Sequence, residues 1–435
     1  MSGAGGATRV PLVVLDDDPT GAQTLSGVCV LLEWDATRIA AALERYPAVH
    51  LLTNSRALAP DEACVLVRKA ARAAAAATPA AQVVLRGDST LRAHLREEYE
   101  GVRDALFPGE QPVLLLVPAL PAAGRITLGG IHLLRDGGAV VPLADTEYAR
   151  DGPFAYSSSR LLDWADERSG GLFPADDGVE LHLAELRGPD GVDRLTGLLV
   201  DLAGGGRPAA CVPDAESNGD LALVADAYRR ASKLDARVVV RCSPALVGVL
   251  SGAEARSFAH APRASRLLIV CGSFVATTTR QLAALRKARP EALFIEVDPV
   301  ALTSSAPEHE IARAGDSAGQ ALAATGIAVL TTPRRRPAQT LSFEPGERVA
   351  IGLARAAGAV RPEPDVVVAK GGITSAVTVR VGLEATSAEV VGPLLPGVSL
   401  WRLADGRAVI VVPGNVGADD LLVRLVAMLR EDEPG

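Results

Sequence analysis

Short apolar runs rich in β-branched residues alternate with longer amphipathic stretches along nearly the whole chain. Most of these runs are apolar at every position, which is typical of strands in parallel sheets that are covered on both faces. We expect strands at residues 10–15, 28–32, 49–53, 83–86, 113–117, 209–212, 238–241, 267–271, 293–297, 327–330, 366–369 and 409–412. Helical periodicity is present between them, for example at residues 61–77, 91–106 and 221–231. The pattern predicts an α/β protein.

Residues 251–265 separate two series of strands and helices. This segment contains Pro262 and mixed charges, as linkers between domains often do. A chain of 435 residues is long enough for two or three domains at roughly 150 residues per domain. We therefore predict an N-terminal domain over 1–255 and a C-terminal domain over 266–435, each a mainly parallel sheet covered by helices, with the active site in a cleft between them.

Composition narrows the classes of partner. A net charge of −8 and an aromatic content of 3% disfavour nucleic acid, which is usually bound by basic surfaces and stacking rings. No apolar run reaches the roughly 18 residues of a membrane span, and the first residues do not read as a signal peptide. The five cysteines are scattered, which argues against structural zinc or a disulfide framework. We expect a cytoplasmic protein, and the sequence allows a homodimer.

Polar segments follow several strands in the first half of the chain. Ligands of open α/β sheets bind beyond the carboxyl ends of the strands, where such segments lie. Residues 16–24 (DDDPTGAQT) place three carboxylates at one strand end, where they repel each other unless a cation or hydrogen-bond donors offset them. Residues 86–92 (RGDSTLR) flank a turn with two arginines, whose planar fork suits a carboxylate or a phosphate. Residues 53–56 (TNSR) suit either a ligand or a helix cap. Residues 118–127, with Arg125, form a further shaped loop.

Glycine-rich turns follow strands in the second half. Residues 370–375 (KGGITS) and 413–417 (PGNVG) each join a strand to a helix, and residues 271–273 (CGS) follow a third strand. Such turns expose backbone N–H groups to anions, although neither matches a Walker A loop or GxGxxG. The arginine run in 332–337 is interpreted as an exposed, solvated loop rather than as a phosphate site. The first half therefore suits a small anionic substrate and the second a nucleotide, a combination that favours phosphoryl transfer.

These motifs resemble those of the four-carbon acid sugar kinase family. The resemblance runs in family order from residue 16 to residue 417 and rests on nine motifs: DDDPTGAQT (16–24), TNSR (53–56), DSTLR (88–92), residues 123–127, TEYARD (146–151), GS with TTTRQL (272–273 and 277–282), KGGITS (370–375), PGVSLW (396–401) and PGNVG (413–417). It implies a two-domain kinase whose N-terminal domain binds the acid sugar and whose C-terminal domain binds ATP, with Mg²⁺ carried in by the nucleotide.

The resemblance also implies roles for individual residues. It assigns contacts with ATP to Ser273, Gly371, Gly372, Ile373, Thr374, Gly414, Asn415 and Gly417. It assigns binding of the acid sugar to Asp17, Arg86, Arg92 and Arg125. Either Asp18 or Asp88 would be the catalytic carboxylate that orients or deprotonates the attacking hydroxyl. No metal-binding residue of the protein itself is implied.

The sequence departs from the family pattern at two places, and it also allows two other functions. Ala376-Val377 stands where relatives often have Ser-Asp, and Ala93 follows Arg92 where they often have glycine. One alternative is a phosphatase of the haloacid dehalogenase type, with Asp16 as nucleophile and Asp18 as acid/base. Its remaining elements would be Thr53, Lys370 and the pair Asp419-Asp420. The other alternative is a non-catalytic protein that binds a nucleotide or a sugar acid.

Overall fold

The structure is a computed structural model that describes residues 10–22, 24–136, 138–150, 152–254, 257–334, 343–414 and 416–430. Its contacts divide the chain into two compact units. Unit 1 comprises Met1–Gly21 and Glu33–Glu254, and unit 2 comprises Ala22–Leu32 and Ala255–Gly435.

The strands and helices are as follows. In the first part of the chain the strands are β1 (Leu12–Asp16), β2 (Val28–Leu31), β3 (Ala48–Leu52), β4 (Gln82–Arg86), β5 (Val113–Val117), β6 (Arg125–Leu128), β7 (Ile131–Asp136), β8 (Ala139–Pro142), β9 (Val179–Leu181), β10 (Ala210–Pro213) and β11 (Val238–Cys242). They are followed by β12 (Leu267–Cys271), β13 (Leu293–Glu296), β14 (Ile327–Thr331), β15 (Val366–Lys370), β16 (Ser387–Leu395), β17 (Val398–Leu403) and β18 (Ala408–Val412). The α-helices are α1 (Ala36–Leu43), α2 (Pro60–Ala77), α3 (Leu95–Leu106), α4 (Leu161–Ser169), α5 (Leu183–Leu186), α6 (Gly191–Gly204), α7 (Asn218–Lys233), α8 (Pro244–Ser251), α9 (Ala276–Ala288), α10 (Pro299–Thr303), α11 (Glu308–Thr325), α12 (Phe343–Gly358), α13 (Gly372–Val377) and α14 (Leu421–Arg430).

Unit 1 is built on a parallel sheet with the strand order β3-β1-β4-β11-β5-β10-β9. Every residue of β1, β5 and β11 is buried, as expected for strands covered on both faces. Since all these strands run in one direction, the polar segments that follow β1, β3, β4 and β11 emerge at one edge. A separate antiparallel sheet, β6-β7-β8, lies in the same unit.

Unit 2 is built on a mixed sheet with the order β13-β14-β12-β15-β18-β17-β16-β2. The five strands from β13 to β18 in this order are parallel, and β17, β16 and β2 continue the sheet in antiparallel fashion. The adjacent strands β12, β15 and β18 end at the three glycine-containing turns. The predicted α/β class is confirmed in both units.

All of the expected strand segments are present, with boundaries that differ by at most two residues. The apolar pattern missed β6–β8, β9, β16 and β17. Among these, β8 is exposed throughout, and the residues of β16 are buried alternately rather than continuously. The helix expected from residue 91 begins only at Leu95. Leu91 adopts a φ of 69°, a left-handed conformation that cannot continue a right-handed helix.

The segment around β2 differs from the expected domain division. Residues 22–32 fall within the predicted N-terminal domain over 1–255, but in the structure they cluster with unit 2. The cause is the antiparallel pairing of β2 with β16, in which Val30 lies opposite Ala388. The flanking amides extend this pairing, since Gly27 donates to the carbonyl of Val390 and Leu32 to that of Thr386. Unit 2 is therefore discontinuous in sequence.

Across the residues that the structure describes, no helix combines the length and the apolar character that a membrane crossing requires.

Candidate active site

The motifs of the first half meet at the carboxyl edge of the unit 1 sheet. The strand register places Asp16, the last residue of β1, beside Leu52 of β3 and Arg86 of β4. The segments that follow these strands are therefore neighbours. Thr53 strengthens the junction, because its hydroxyl donates to the carbonyl of Asp16 at 2.9 Å.

Arg56 links the three motifs electrostatically. Its Nη2 lies 2.7 Å from Oδ2 of Asp18 and 3.5 Å from Oδ1 of Asp17, while its Nη1 lies 3.4 Å from Oδ2 of Asp88. Burial by itself would lower the pKa of Arg56, but the three carboxylates raise it above its ordinary value. The pattern of the TNSR segment fits either a ligand site or a helix cap, so Arg56 is not among the site residues predicted from the sequence. Its position directly after a strand is the feature of the sequence that could have indicated its role.

Arg86 holds the buried side of the same cluster. Its Nη1 lies 2.5 Å from Oδ1 of Asp17 and 3.3 Å from Oδ1 of Asp16. His50 donates from Nδ1 to Oδ2 of Asp16 at 2.9 Å. A Cβ atom at Gly21 would lie 2.3 Å from the Asp16 carboxylate oxygens, so only glycine fits at this position of the DDDPTGAQT motif.

Asp17 and Asp88 differ in their environments. Burial raises the pKa of Asp17 to about 6, although Arg56 and Arg86 act in the opposite direction. Burial also favours the neutral form of Asp88, but Arg92, Arg56 and hydrogen bonds from Thr90 and Arg92 lower its pKa well below the ordinary value. The Nε of Arg92 lies 2.6 Å from Oδ2 of Asp88. Asp88 is therefore a permanent anion at neutral pH.

The buried ion pair between Arg241 and Glu98 lies next to this cluster and is linked to it through Ser55. Arg241 of β11 donates to Oε2 of Glu98, and Ser55 donates from its hydroxyl to Oε1 of Glu98 at 2.7 Å. Both charged residues are nearly inaccessible, with relative exposures of 4% for Arg241 and 2% for Glu98. Because Ser55 adjoins Arg56, the pair restrains the turn that carries Arg56. Arg241 and Glu98 lie outside the motifs described above, and no feature of the sequence predicted that they belong to the site.

Arg125 lies outside the ion-pair cluster, at the start of β6. Its guanidinium carbon is 5.8 Å from the ring centre of Tyr148, and its buried Nε has no hydrogen-bond partner among the described residues. His132 of β7 connects this sheet to the 88–92 turn by donating from Nε2 to the carbonyl of Ser89 at 2.9 Å. Burial lowers the pKa of His132 to about 4, so its ring is neutral at physiological pH.

The three predicted ATP-binding turns converge in unit 2. A Cβ atom on Gly371 would lie 3.1 Å from Cβ of Ser273 and 3.2 Å from Oγ1 of Thr374, and one on Gly414 would lie 2.9 Å from Oγ of Ser273. Gly371 has a φ of 111°, which side-chain-bearing residues rarely adopt. The turns after β12, β15 and β18 therefore form one surface of backbone and small side chains, as anion sites in proteins require.

The remaining predicted nucleotide contacts are placed as follows. Gly372 begins α13, Ile373 follows it with a relative exposure of 49%, and Gly417 has a φ of 89° against Leu421. Asn415 lies outside the described residues. The helix expected directly after 413–417 begins only at Leu421.

Arg334 corrects the interpretation of 332–337 as a solvated loop. Its Nη2 donates to the carbonyl of Ser273 at 2.6 Å, so this arginine contacts the turn after β12. Residues 335–337 lie outside the described part of the chain.

The family departure at Ala376-Val377 lies inside α13. Both side chains are buried, with relative exposures of 6% and 7%. Among the described residues, no group of three or more histidine, cysteine, aspartate or glutamate side chains could hold a metal ion.

The phosphatase alternative is not supported by the environment of Asp16, which would be its nucleophile. Asp16 is held by His50 and Arg86 with a side-chain exposure of 3%, which leaves little access for a nucleophile.

Comparisons with known proteins agree with the two-part organisation. A family model described as a sugar-binding N-terminal domain matches residues 12–250. A second model, described as a nucleotide-binding C-terminal domain, matches residues 268–422. Together they cover most of the chain in the order that the motifs predicted.

Two curated relatives carry kinase names. The D-threonate kinase of Salmonella typhimurium is 27% identical, over 97% of this chain and 98% of that protein. The D-erythronate kinase of Heliobacterium modesticaldum is 30% identical, over 64% of this chain and 60% of that protein.

Solved structures share the fold. The Haemophilus influenzae protein HI1011 superimposes with a TM-score of 0.63 at 18% identity, covering 96% of this chain and all of that protein. A Salmonella typhimurium LT2 protein gives a TM-score of 0.70 at 18% identity, covering 97% of this chain and all of that protein. Motifs, domain models and relatives coincide, and the chain belongs to the four-carbon acid sugar kinase family of enzymes.

Proposed function

We propose that this protein transfers the γ-phosphoryl group of ATP to a hydroxyl group of a four-carbon acid sugar such as threonate or erythronate. The observation that carries the proposal is the aspartate and arginine cluster around Arg56, which occurs in a unit matched by a sugar-binding domain model. The glycine-containing turns of the other unit, which is matched by a nucleotide-binding model, supply the second substrate site.

Arg125 is the proposed partner of the substrate carboxylate. The arginines of the Arg56 cluster are already paired with aspartates, whereas Arg125 has no carboxylate partner among the described residues. Arginine binds carboxylates through two parallel hydrogen bonds, so an unneutralised guanidinium is well suited to an organic acid. Arg125 lies on β6, which pairs with β7, and His132 of β7 hydrogen-bonds the carbonyl of Ser89 in the 88–92 turn.

Asp18 is the proposed catalytic carboxylate. Its side chain has an exposure of 18%, compared with 2% for Asp17, so it lies on the accessible side of the cluster. Asp88 was the other predicted candidate, but its lowered pKa makes it a poor proton acceptor and suits it to holding Arg56 and Arg92. The substrate oxygen would form a bond to the γ-phosphorus as the bond to the β-phosphate oxygen breaks, giving ADP, and the hydroxyl proton would pass to Asp18.

The nucleotide would lie on the turns after β12, β15 and β18. Backbone N–H groups of such turns bind phosphate oxygens, and Ser273 and Thr374 add hydroxyl groups. Mg²⁺ would enter with ATP and neutralise the charge of its phosphates.

The test is ADP release with ATP, Mg²⁺ and a panel of four-carbon acids that includes D-threonate and D-erythronate. We expect turnover with at least one acid, and Asp18→Ala should abolish it while ATP binding by calorimetry changes less than about two-fold. Arg125→Gln should raise KM for the acid by about ten-fold or more and leave KM for ATP unchanged, because it removes a charge-assisted hydrogen bond. Absence of turnover with every acid, or loss of ATP binding in folded Asp18→Ala, would contradict the assignment.

A further inference from the structure

The described residues of the turn after β18 (413, 414 and 416–418, hereafter the 413–418 turn) are held by their carbonyl oxygens. Lys370, the last residue of β15, directs Nζ to the carbonyl oxygens of Pro413, Gly414 and Val416 at 2.6, 3.1 and 3.4 Å. An ammonium group has three N–H donors, and here three acceptors surround it. The side chain has a relative exposure of 0%, so it is buried beneath the turn.

A second side chain continues the same pattern. Gln281 of α9 donates from Nε2 towards the carbonyl oxygens of Val416, Gly417 and Ala418 at 3.0, 3.1 and 2.9 Å. Thr278, one helical turn earlier, donates from Oγ1 to the carbonyl of Gly414 at 3.0 Å. Two different elements, β15 and α9, thus collect the carbonyl groups of one turn.

The direction of the carbonyl groups determines the direction of the amides. In a trans peptide the C=O of one residue and the N–H of the next point in opposite directions. With the carbonyls of residues 413, 416 and 417 turned inward, the N–H groups of Gly414, Gly417 and Ala418 are turned away from Lys370 and Gln281. Successive amides that point the same way form an anion-binding concavity.

We propose that Lys370 and Gln281 are positioning residues that preorganise the 413–418 turn so that its amides bind the phosphates of the nucleotide. This inference rests on the proposed function of unit 2. It names side chains that act from beneath the site without touching the nucleotide.

The environment of Lys370 supports this role over direct phosphate contact. Its three donors are already used by carbonyl groups, and burial lowers its pKa to about 8. Burying a charged ammonium group is unfavourable unless it is hydrogen-bonded. The three carbonyl groups of the turn supply the hydrogen bonds that offset the burial of Lys370.

Lys370→Met tests the proposal because methionine keeps much of the length and removes the donors. We expect KM for ATP and the calorimetric Kd for ATP-Mg²⁺ to rise about ten-fold or more, as loss of hydrogen bonds from a charged group predicts. KM for the acid sugar should stay within two-fold. Lys370→Gln keeps an amide donor and should recover part of the nucleotide affinity. Lys287→Met, at an exposed position of α9, is the matched control and should behave as the wild type.

Gln281→Leu and Thr278→Val provide the same test if Lys370→Met does not fold. Each removes donors to the turn without removing a charge, and each should weaken ATP binding more than acid binding. Wild-type affinity for ATP-Mg²⁺ in folded variants, or an equal loss of affinity for both substrates, would overturn the positioning role. A wild-type protein that binds no nucleotide would instead overturn the proposed function itself.

Discussion

At the scale of single residues, Arg56 is the cation on which the cluster in unit 1 depends most. Arg56→Met would leave Asp17, Asp18 and Asp88 without their shared partner. Removing one partner of a buried ion pair costs about 3–5 kcal/mol, so we expect that loss in the free energy of unfolding, together with loss of kinase activity. Urea denaturation and the ADP-release assay measure the two effects.

Arg38→Met is the control for that substitution. Arg38 of α1 pairs with Asp35, the residue that precedes this helix, and both side chains are about half exposed. Exposed pairs contribute less than about 1 kcal/mol, so this variant should retain stability and activity. Equal effects of the two substitutions would show that Arg56 has no special role.

Asp17 makes stability depend on pH. The folded protein holds its proton with a pKa of about 6, whereas an unfolded chain releases it near 3.8. The folded state therefore binds more protons between these values, and the stability that this proton contributes is lost as the pH rises. The free energy of unfolding of the wild type, relative to Asp17→Asn, should fall by about 2–3 kcal/mol from pH 4 to pH 7.

Urea denaturation at several pH values measures this difference. Asp201→Asn, at an exposed position of α6, is the control and should follow the wild-type curve. A difference between wild type and Asp17→Asn that is constant over this range, or that grows with pH, would show that the carboxyl group is not raised in pKa.

At the scale of elements, β2 stabilises unit 2 although it lies early in the sequence. Val30 is 2% exposed and lies opposite Ala388 of β16. Val30→Ala should cost about 1–3 kcal/mol through the cavity it creates. Hydrogen exchange should accelerate in Ser387–Leu395 more than in Leu12–Asp16, because backbone protection follows the stability of the local unit.

Val65→Ala is the matched control, since Val65 is 56% exposed on α2. It should leave exchange unchanged in both strands. Faster exchange of β1 than of β16 in Val30→Ala would contradict the assignment of β2 to unit 2.

At the scale of the whole molecule, we expect the Mg²⁺ ion to be bound by the nucleotide and not by the ligand-free protein. Excess EDTA should abolish ADP release, and added Mg²⁺ should restore it, because the metal neutralises the β- and γ-phosphates. The melting temperature of the ligand-free protein should change by less than about 1 °C, whereas loss of a bound structural metal would lower it. A clear fall in that temperature would identify a metal in the fold.

The family and the α/β class are confirmed by the domain models, the relatives and the fold. The roles of individual site residues, the cytoplasmic location and the homodimer remain predictions.

The sequence by itself determined most of the strands, the fold class and the family. Strands, fold class and family follow from local information. A fully buried parallel strand is apolar at nearly every position, and a turn with a positive φ or a close backbone approach requires glycine at that position. Runs such as 113–117 and 366–369 and motifs such as DDDPTGAQT carry that information within a few residues.

Only the tertiary structure decided which distant residues act together. Arg56 joins Asp18 and Asp88, Lys370 holds a turn 43 residues later, and β2 pairs with β16 far along the chain. Such partners are chosen by the register of neighbouring strands and by the need of a buried charge for a counterion or hydrogen bonds. Neither condition leaves a mark in the local sequence, which is why Glu98, Arg241 and the partners of Arg56 became visible only in the folded chain.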